Sequence, residues 1–238
     1  MTTIGEYAFD STRSLTKINL YGTTTIGQYA FRYSQIREIV IPEGVTTIPA
    51  YAFQYAYSLV NVSLPSTLTT IGTYAFSGCR SLKEIHIPNS VMSIGTYAFN
   101  ECTSLVSATL PNSITNLPTY LFYNCTSLMN VNIPDTVTTI DNYAFRGTQI
   151  RNITIPNNIV SMGTGVFAAC ERLPKVTLPS MGFISAELFN ACKGLGIVDL
   201  TNFGKVPGKG SNAFSSISSD CKILVPSHLY GEWSTNSS

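Results

Sequence analysis

The sequence predicts a repeat solenoid, a rod of stacked coils that bury a common apolar interior. Three features support this: a phenylalanine that returns every 22 to 25 residues, an apolar triplet in each period, and a proline that closes most triplets. A fixed period in this range is typical of solenoids. One coil alone buries too little to offset its conformational entropy, so neighbouring coils must fold together. The repeating phenylalanines are Phe9, Phe31, Phe53, Phe76, Phe99, Phe122, Phe145, Phe167, Phe189 and Phe214.

The repeat runs through the whole chain and predicts a single domain over residues 1–238, with about ten coils of 22–25 residues. A length of 238 residues is compatible with two domains, but an unbroken repeat indicates a single one. From Gly194 the pattern loosens, and Phe214 follows Phe189 by 25 residues. We therefore expect residues 194–238 to form an irregular last coil and a cap.

The apolar triplets have the spacing L-x-x-I-x-I, as in Leu82, Ile85 and Ile87. The alternation in the second half of the triplet indicates a strand with one buried and one free face. Stacked coils would pair these strands into a parallel sheet. Proline cannot donate to such a ladder, so it ends each strand at the same height. The prolines are Pro42, Pro65, Pro88, Pro111, Pro134, Pro156 and Pro179.

The other side of each coil carries an Ile-Gly pair shortly before the phenylalanine, as in Ile94-Gly95. Because Pro49 and Pro118 fill the glycine column in two coils, we expect that the glycines do not supply a positive φ. The column predicts the start of a short helical or 3₁₀ turn that carries the Ala-Phe pair inward.

Five of the six cysteines lie three residues after a coil phenylalanine: Cys79, Cys102, Cys125, Cys170 and Cys192. Thr12 and Ala56 occupy the same column in other coils, which indicates a small buried slot that free cysteine fills well. Structural thiols are the favoured interpretation, with reactivity or bridging as the alternatives. Cys221 does not follow this register.

Composition argues against several functional classes. Charged residues make up 11% and the net charge is +1, so a nucleic-acid partner is not expected. We expect no membrane insertion, because no apolar run approaches about 18 residues. Thr2-Thr3-Ile4-Gly5 matches a segment one coil later. We therefore expect a fragment that begins inside a coil, with Met1 as an added start and without a signal peptide.

Catalysis needs convergent reactive groups, and the sequence offers few of them. His86 and His228 are six coils apart, and the acidic residues are scattered. H-E-x-x-H, G-x-S-x-G and C-x-x-C motifs do not occur. We expect a protein that is not an enzyme and that uses no cofactor or metal.

The pattern L-x-x-I-x-I-P followed by V-T-x-I-G-x-Y-A-F-x-x-C-x-x-L resembles the leucine-rich repeats of BspA-like and Treponema surface proteins. The resemblance covers nearly the whole chain and implies a right-handed coil with a parallel sheet on one face and short turns, 3₁₀ segments or short strands on the other. It also implies an extracellular or cell-surface location, binding of host proteins, and adhesion. The tail from Ser227 to Trp233 is similar to the closing segments of this family, in which an aromatic piece covers the last open coil. We expect Trp233 to have this capping role, with ligand contact as the alternative.

The outward columns of the predicted sheet are the candidate binding site, since they vary while the inward columns barely change. The expected ligand is a host or matrix protein, or a glycan, bound by a monomer. Free variation of solvent-exposed positions is the alternative explanation. The candidate residues form two patches: Arg37, Glu38, Asn61, Lys83, Glu84 and His86 in the first, and Asn130, Asn132, Arg151, Asn152 and Thr154 in the second.

Three further possibilities remain open at this stage. Seven tyrosines one residue before the Ala-Phe pair form a ladder, which either covers the repeat edge or binds a sugar or peptide. Thr pairs such as Thr46-Thr47 resemble the arrays of ice-binding solenoids, but Met92, Asn116 and Val160 interrupt them. The repeat region is alternatively a structural spacer in a longer surface or phage-tail protein, with no ligand of its own.

Overall fold

The protein is a parallel β-solenoid of about ten turns, seen here in a computed structural model. The structure describes residues 2–235 and the side chains of residues 2–232. The predicted solenoid is confirmed. Its strands are short, from two to four residues. In chain order they are β1 (Thr2–Ile4), β2 (Thr23–Ile26), β3 (Glu38–Val40), β4 (Thr47–Ile48), β5 (Asn61–Ser63), β6 (Thr70–Ile71), β7 (Glu84–His86), β8 (Ser93–Ile94), β9 (Ser107–Thr109), β10 (Asn116–Leu117), β11 (Asn130–Val131), β12 (Thr139–Ile140), β13 (Ser161–Met162), β14 (Lys175–Thr177), β15 (Phe183–Ile184), β16 (Ile197–Asp199), β17 (Gly208–Lys209) and β18 (Lys222–Leu224).

The strands form two sides of the solenoid. The triplet strands make the strand face, in the parallel ladders β3-β5, β7-β9-β11 and β14-β16-β18. The strands rich in threonine make the second side, in the ladders β1-β2, β4-β6-β8, β10-β12-β13 and β15-β17. Registers match equivalent coil positions, for example Ile85 with Ala108 and Ile71 with Ile94. The sheet predicted from the triplets is therefore present, although it is divided into segments.

The triplets of the first and seventh coils do not form strands, so Lys17, Asn152 and Thr154 lie in extended but unladdered backbone. The seventh coil lacks one residue between Phe145 and its triplet, and the ladder stops between β11 and this coil. The second coil carries the same deletion, and the first coil likewise does not pair with β3. In the second coil the shortened turn nevertheless keeps the backbone register, because Arg37 N–H donates to Thr16 C=O at 3.1 Å, as Val60 N–H does to Arg37 C=O one coil later.

A column of phenylalanine rings forms the centre of the core. The rings from Phe31 to Phe189 are fully buried. Adjacent rings are nearly parallel, with centroids 5.1 to 5.9 Å apart from Phe9 to Phe214. Offset stacking at this spacing adds to the gain from apolar burial. The stack also crosses the two shortened coils without interruption.

The third side, here called the turn edge, runs from each ladder tyrosine to the residue three places after the phenylalanine. Ala and Phe point inward as predicted, but the helical or 3₁₀ conformation expected for them is wrong. The segment consists of successive hydrogen-bonded turns such as Asp10 N–H to Tyr7 C=O at 3.0 Å. Two positions in every coil have positive φ, with values of 54° to 73°: the second residue before the phenylalanine, which is tyrosine in seven coils, and the second residue after it. A left-handed residue prevents a right-handed helix from continuing.

The backbone hydrogen bonds that join one coil to another along the turn edge run in one direction, from N–H groups of one coil to carbonyls of the next. Tyr7, Phe9 and Ser11 donate to Gln28, Ala30 and Arg32 at 2.8 to 3.0 Å. The glycines before the tyrosines, such as Gly95, do not have positive φ, as expected.

The chain ends in a 3₁₀ turn, Ser227–Leu229, followed by helix α1, Tyr230–Thr235. Leu229 is buried, which attaches the tail to the body of the protein. The predicted capping role of Trp233 falls on a side chain outside those described, as do residues 236–238.

Candidate functional site

The strand face presents two outward columns to solvent, one on each side of the buried central residue of each strand. In β3 the central Ile39 is 3% exposed, whereas Glu38 and Val40 on either side of it are exposed. The same exposed-buried-exposed pattern holds in β7 and β14. All eleven predicted site residues have exposed side chains.

A shallow depression of about 630 Å³ lies at the N-terminal part of this face. Lys17, Arg37, Glu38 and Val60 contribute to its wall, and Thr16, Ser58 and Ser81 complete it. Asn61 Nδ2 donates to Glu38 Oε1 at 3.1 Å and fixes that carboxylate. The structure therefore brings Arg37, Glu38 and Asn61 together. Sequence reasoning assigned Lys17 to the outward columns but did not include it in the site.

Lys83, Glu84 and His86 belong to the first patch but lie further along the face, on and just before β7. Among residues 2–235, Lys17, Arg37, Lys83 and Glu84 take part in no ion pair. Val40 is 68% exposed and lies in the other outward column of the same face, two residues from Glu38. The first patch thus has unpaired charges of both signs, with an exposed apolar side chain beside it.

The second predicted patch divides into two neighbouring depressions. Asn130, Asn132 and Asn152 lie together beside Ser107 and Thr109, in a depression of about 340 Å³. Thr154 lies in another, beside Asp135, Asn157 and Thr177. Arg151 is exposed and lines neither of them. The amide side chains supply donors and acceptors without net charge, so this patch is polar and uncharged at its centre.

Near the C-terminal end of the face, Lys175 and Asp199 form an ion pair. Lys175 Nζ lies 3.4 Å from Asp199 Oδ2, and Asp199 also accepts hydrogen bonds from Thr201. The Thr201 hydroxyl, together with Thr201 N–H and the Lys175 cation, lowers the pKa of Asp199 below its ordinary value. These internal contacts leave less free charge here than in the first patch.

The turn edge carries the tyrosine ladder, whose rings from Tyr7 to Tyr143 stack at 4.4 to 5.2 Å and within 21° of parallel. Burial raises the pKa of the Tyr97 and Tyr120 phenols. From Tyr29 onward the rings are half-buried, because they lie on one another. The ladder therefore covers the repeat edge, which is the first of the two interpretations given above.

Arg32 holds the N-terminal end of this ladder. Its guanidinium donates to both carboxylate oxygens of Asp10, at 2.9 and 3.0 Å, and lies 4.8 Å from the Tyr29 ring centroid. The hydrogen bond from Arg32 is the largest cause of the lowered pKa of Asp10. The two residues are 22 positions apart, in consecutive coils, so the pair joins these coils. The sequence signal that could have identified this ion pair is the opposite charge of two residues, Asp10 and Arg32, that directly follow the phenylalanine in consecutive coils.

The five repeat cysteines are buried free thiols, which confirms the structural slot. Each Sγ–H donates to the backbone carbonyl of the phenylalanine in the preceding coil, as from Cys125 to Phe99 at 3.0 Å. Burial raises the pKa of Cys170 to about 11 and that of Cys192 further. A thiol with such a pKa is scarcely ionised near neutrality and is a poor nucleophile.

Within residues 2–235, no cluster of three His, Cys, Asp or Glu side chains has the arrangement needed to hold a metal ion. The one helix of this part of the chain is too short to cross a bilayer.

Comparison with known proteins agrees with this architecture. The sequence matches the BspA type leucine rich repeat region in six copies, over residues 1–105, 46–173 and 138–231. No curated protein matches it.

Among solved structures, a leucine-rich repeat protein from Bacteroides ovatus is similar at 30% identity and a TM-score of 0.82, over 94% of this chain and 59% of its own. A leucine rich cell surface protein from Faecalibacterium prausnitzii is 28% identical with a TM-score of 0.59, over 98% of this chain and 71% of its own. A leucine-rich repeat protein of Treponema pallidum is 26% identical with a TM-score of 0.54, over 85% and 84% respectively.

The chain thus spans 59% of the length of the Bacteroides protein. Proteins built from such repeats are generally non-enzymatic. The match extends from the first coil to the tail, and on that basis the chain belongs to the BspA-type leucine-rich repeat family.

Proposed function

We propose that this chain is a non-enzymatic binding module of a surface or secreted protein, and that it binds an extracellular protein through the strand face. The observation that carries the proposal is the first patch, in which Arg37, Lys83 and Glu84 make no ion pair within residues 2–235, with the exposed Val40 on the same face two residues from Glu38. Protein interfaces combine exposed apolar side chains with polar and charged groups.

Charge arrangement favours a protein over a uniformly charged ligand. Lys17, Arg37 and Lys83 are positive, whereas Glu38 and Glu84 are negative and lie on the same face. Mixed signs in fixed positions select a partner with the complementary pattern and accelerate association. The Asn-rich second patch extends the same surface by several coils and supplies hydrogen-bonding groups.

The extracellular location rests on the family and on the Faecalibacterium protein, which is described as a cell surface protein. Adhesion and host interaction are part of the same proposal.

The test is a binding screen of the intact chain against extracellular-matrix proteins by surface plasmon resonance. Any partner found is then measured against a double variant, Lys83→Glu with Glu84→Lys, which preserves net charge and reverses the local pattern. We expect the affinity to fall about tenfold or more, as for disruption of an interfacial charge pair.

The matched control exchanges an ion pair away from the strand face, Lys193→Glu with Glu171→Lys. These side chains are exposed and 2.9 Å apart, so the exchange preserves both charge and pairing. Equal affinity of the strand-face variant and the control would refute the proposal. A screen in which no extracellular protein binds would favour the spacer, for which the continuous phenylalanine stack provides a rigid body.

A further inference from the structure

A second depression, of about 390 Å³, lies at the start of the turn edge in the first three coils. Ser11, Arg13, Tyr33, Gln35 and Tyr57 line it, and none of them lines the depression on the strand face. We propose that it binds a uronic-acid-containing glycan. This site is separate from the strand face and goes beyond the proposed function.

The apolar part of the depression is a pair of tyrosine rings. Tyr33 and Tyr57 are each 37% exposed, with ring centroids 6.3 Å apart and planes tilted by 55°. Tyr55 stacks on Tyr33 at 5.1 Å, which covers part of one face of that ring, and lies 5.8 Å from Tyr57. The exposed parts of the Tyr33 and Tyr57 rings offer an apolar surface to the apolar face of a pyranose.

The rings are held in place before any ligand arrives. The Arg32 guanidinium lies 5.4 Å from the Tyr33 ring centroid and is fixed by its two hydrogen bonds to Asp10. The Arg80 guanidinium lies 5.3 Å from the Tyr57 ring centroid and pairs with Glu101. A preorganised surface loses little side-chain entropy on binding.

The second and third coils place an aromatic residue, Tyr33 and Tyr55, in the left-handed column two residues after each phenylalanine. Tyr33 has φ +54° and Tyr55 has φ +56°, in a column where Gly78 and Gly147 stand in other coils. A bulky residue in this conformation is uncommon. Gly78 is required beside them, because a Cβ there would lie 2.3 Å from the Tyr55 ring. The second and third coils thus carry aromatic rings in left-handed positions, and the next coil makes room for them.

The polar rim explains the choice of an acidic sugar. Gln35 Oε1 accepts a hydrogen bond from Ser58 at 2.6 Å, which leaves the Gln35 amide N–H groups as donors. Arg13 is exposed and forms no ion pair among residues 2–235, whereas Arg32 and Arg80 are both neutralised. The depression therefore offers donors and one uncompensated cation, which match a pyranose that bears hydroxyl acceptors and a carboxylate.

The test uses isothermal titration of the intact chain with two probes of equal length. Hyaluronan hexasaccharide contains glucuronate, whereas chitohexaose, used in its fully N-acetylated and therefore uncharged form, lacks the carboxylate. We expect saturable binding of the hyaluronan probe, at least about tenfold weaker binding of chitohexaose, and a loss of about tenfold towards hyaluronan in Arg13→Gln. Tyr57→Ala should weaken both probes, and circular dichroism would establish that this variant is folded.

Two control variants make the result specific. Arg172→Gln removes an exposed arginine in a distant coil and should leave both titrations unchanged. The strand-face variant, Lys83→Glu with Glu84→Lys, should also bind hyaluronan normally, which separates this site from the one proposed above. The proposal is overturned if hyaluronan does not bind, if Arg13→Gln binds it as well as the wild type, or if the strand-face variant loses it instead.

Discussion

Replacing Phe99 by alanine tests the central stack most directly. The ring is fully buried and stacks on Phe76 at 5.4 Å and on Phe122 at 5.7 Å. Burial of a phenylalanine stabilises by about 1.5 to 3 kcal/mol, and each aromatic contact adds about 0.5 to 1.5 kcal/mol. These contributions agree with the cost of about 3 to 5 kcal/mol that is usual for such a deletion.

The matched control is Phe9→Ala, at the end of the same column. Phe9 is half-buried and has one stacking neighbour, Phe31, at 5.3 Å. With less burial and a single aromatic contact, we expect a cost of about 1 to 2 kcal/mol.

Urea unfolding followed by far-ultraviolet circular dichroism gives the free energy of unfolding for both variants. In Phe99→Ala the denaturant slope should also decrease, since the coils on either side would unfold less cooperatively. A cost below about 1 kcal/mol, or one equal to that of Phe9→Ala, would refute the role assigned to the stack.

Three further predictions concern the turn edge and the buried thiols. Ala169→Gly should stabilise the protein by about 0.5 to 1 kcal/mol, because the φ angle of Ala169 is +56°. The same change at its buried neighbour, Ala168→Gly, should destabilise the protein, and thermal unfolding of the two variants tests both expectations. Cys170 should resist a maleimide at pH 8 until urea unfolds the protein, since its pKa is about 11; rapid native labelling, measured by mass spectrometry, would contradict this. Because the pKa of Asp10 is lowered, the wild type should have a larger free energy of unfolding than Asp10→Asn above pH 3.8, and this difference should disappear as the pH falls further. A difference that persists in acid would exclude the Arg32 pair as its source.

Periodicity was sufficient to locate the buried columns. The phenylalanines, the triplets and the cysteine slot occupy the positions expected of them, because burial depends on spacing and side-chain type. Periodicity does not reveal backbone dihedral angles. Glycine or asparagine is the usual signal of positive φ, yet tyrosine occupies that position in seven coils.

The tyrosines tolerate this conformation for a reason that only the three-dimensional stack shows. A left-handed residue costs about 1 to 2 kcal/mol. Tyr97 offsets this cost with two stacking contacts at 4.4 Å and an N–H bond to Thr119 C=O in the next coil. Contacts between coils thus override local preference.

The candidate site was predictable in part, for the same reason. The outward columns follow from strand alternation, and the structure exposes them. The grouping of Lys17 with Arg37, and of Tyr33 with Tyr57, depends on how neighbouring coils are offset, which spacing alone does not give.

The one-way hydrogen bonds of the turn edge give the solenoid an electric polarity. Peptide groups there point their N–H bonds towards later coils, so their dipoles add along the axis, as they do in a helix. The first coil accordingly directs the carbonyls of Glu6, Ala8 and Asp10 outward. Two copies meeting by their first coils would place oxygen against oxygen. Any coil that extends the stack must therefore join head to tail.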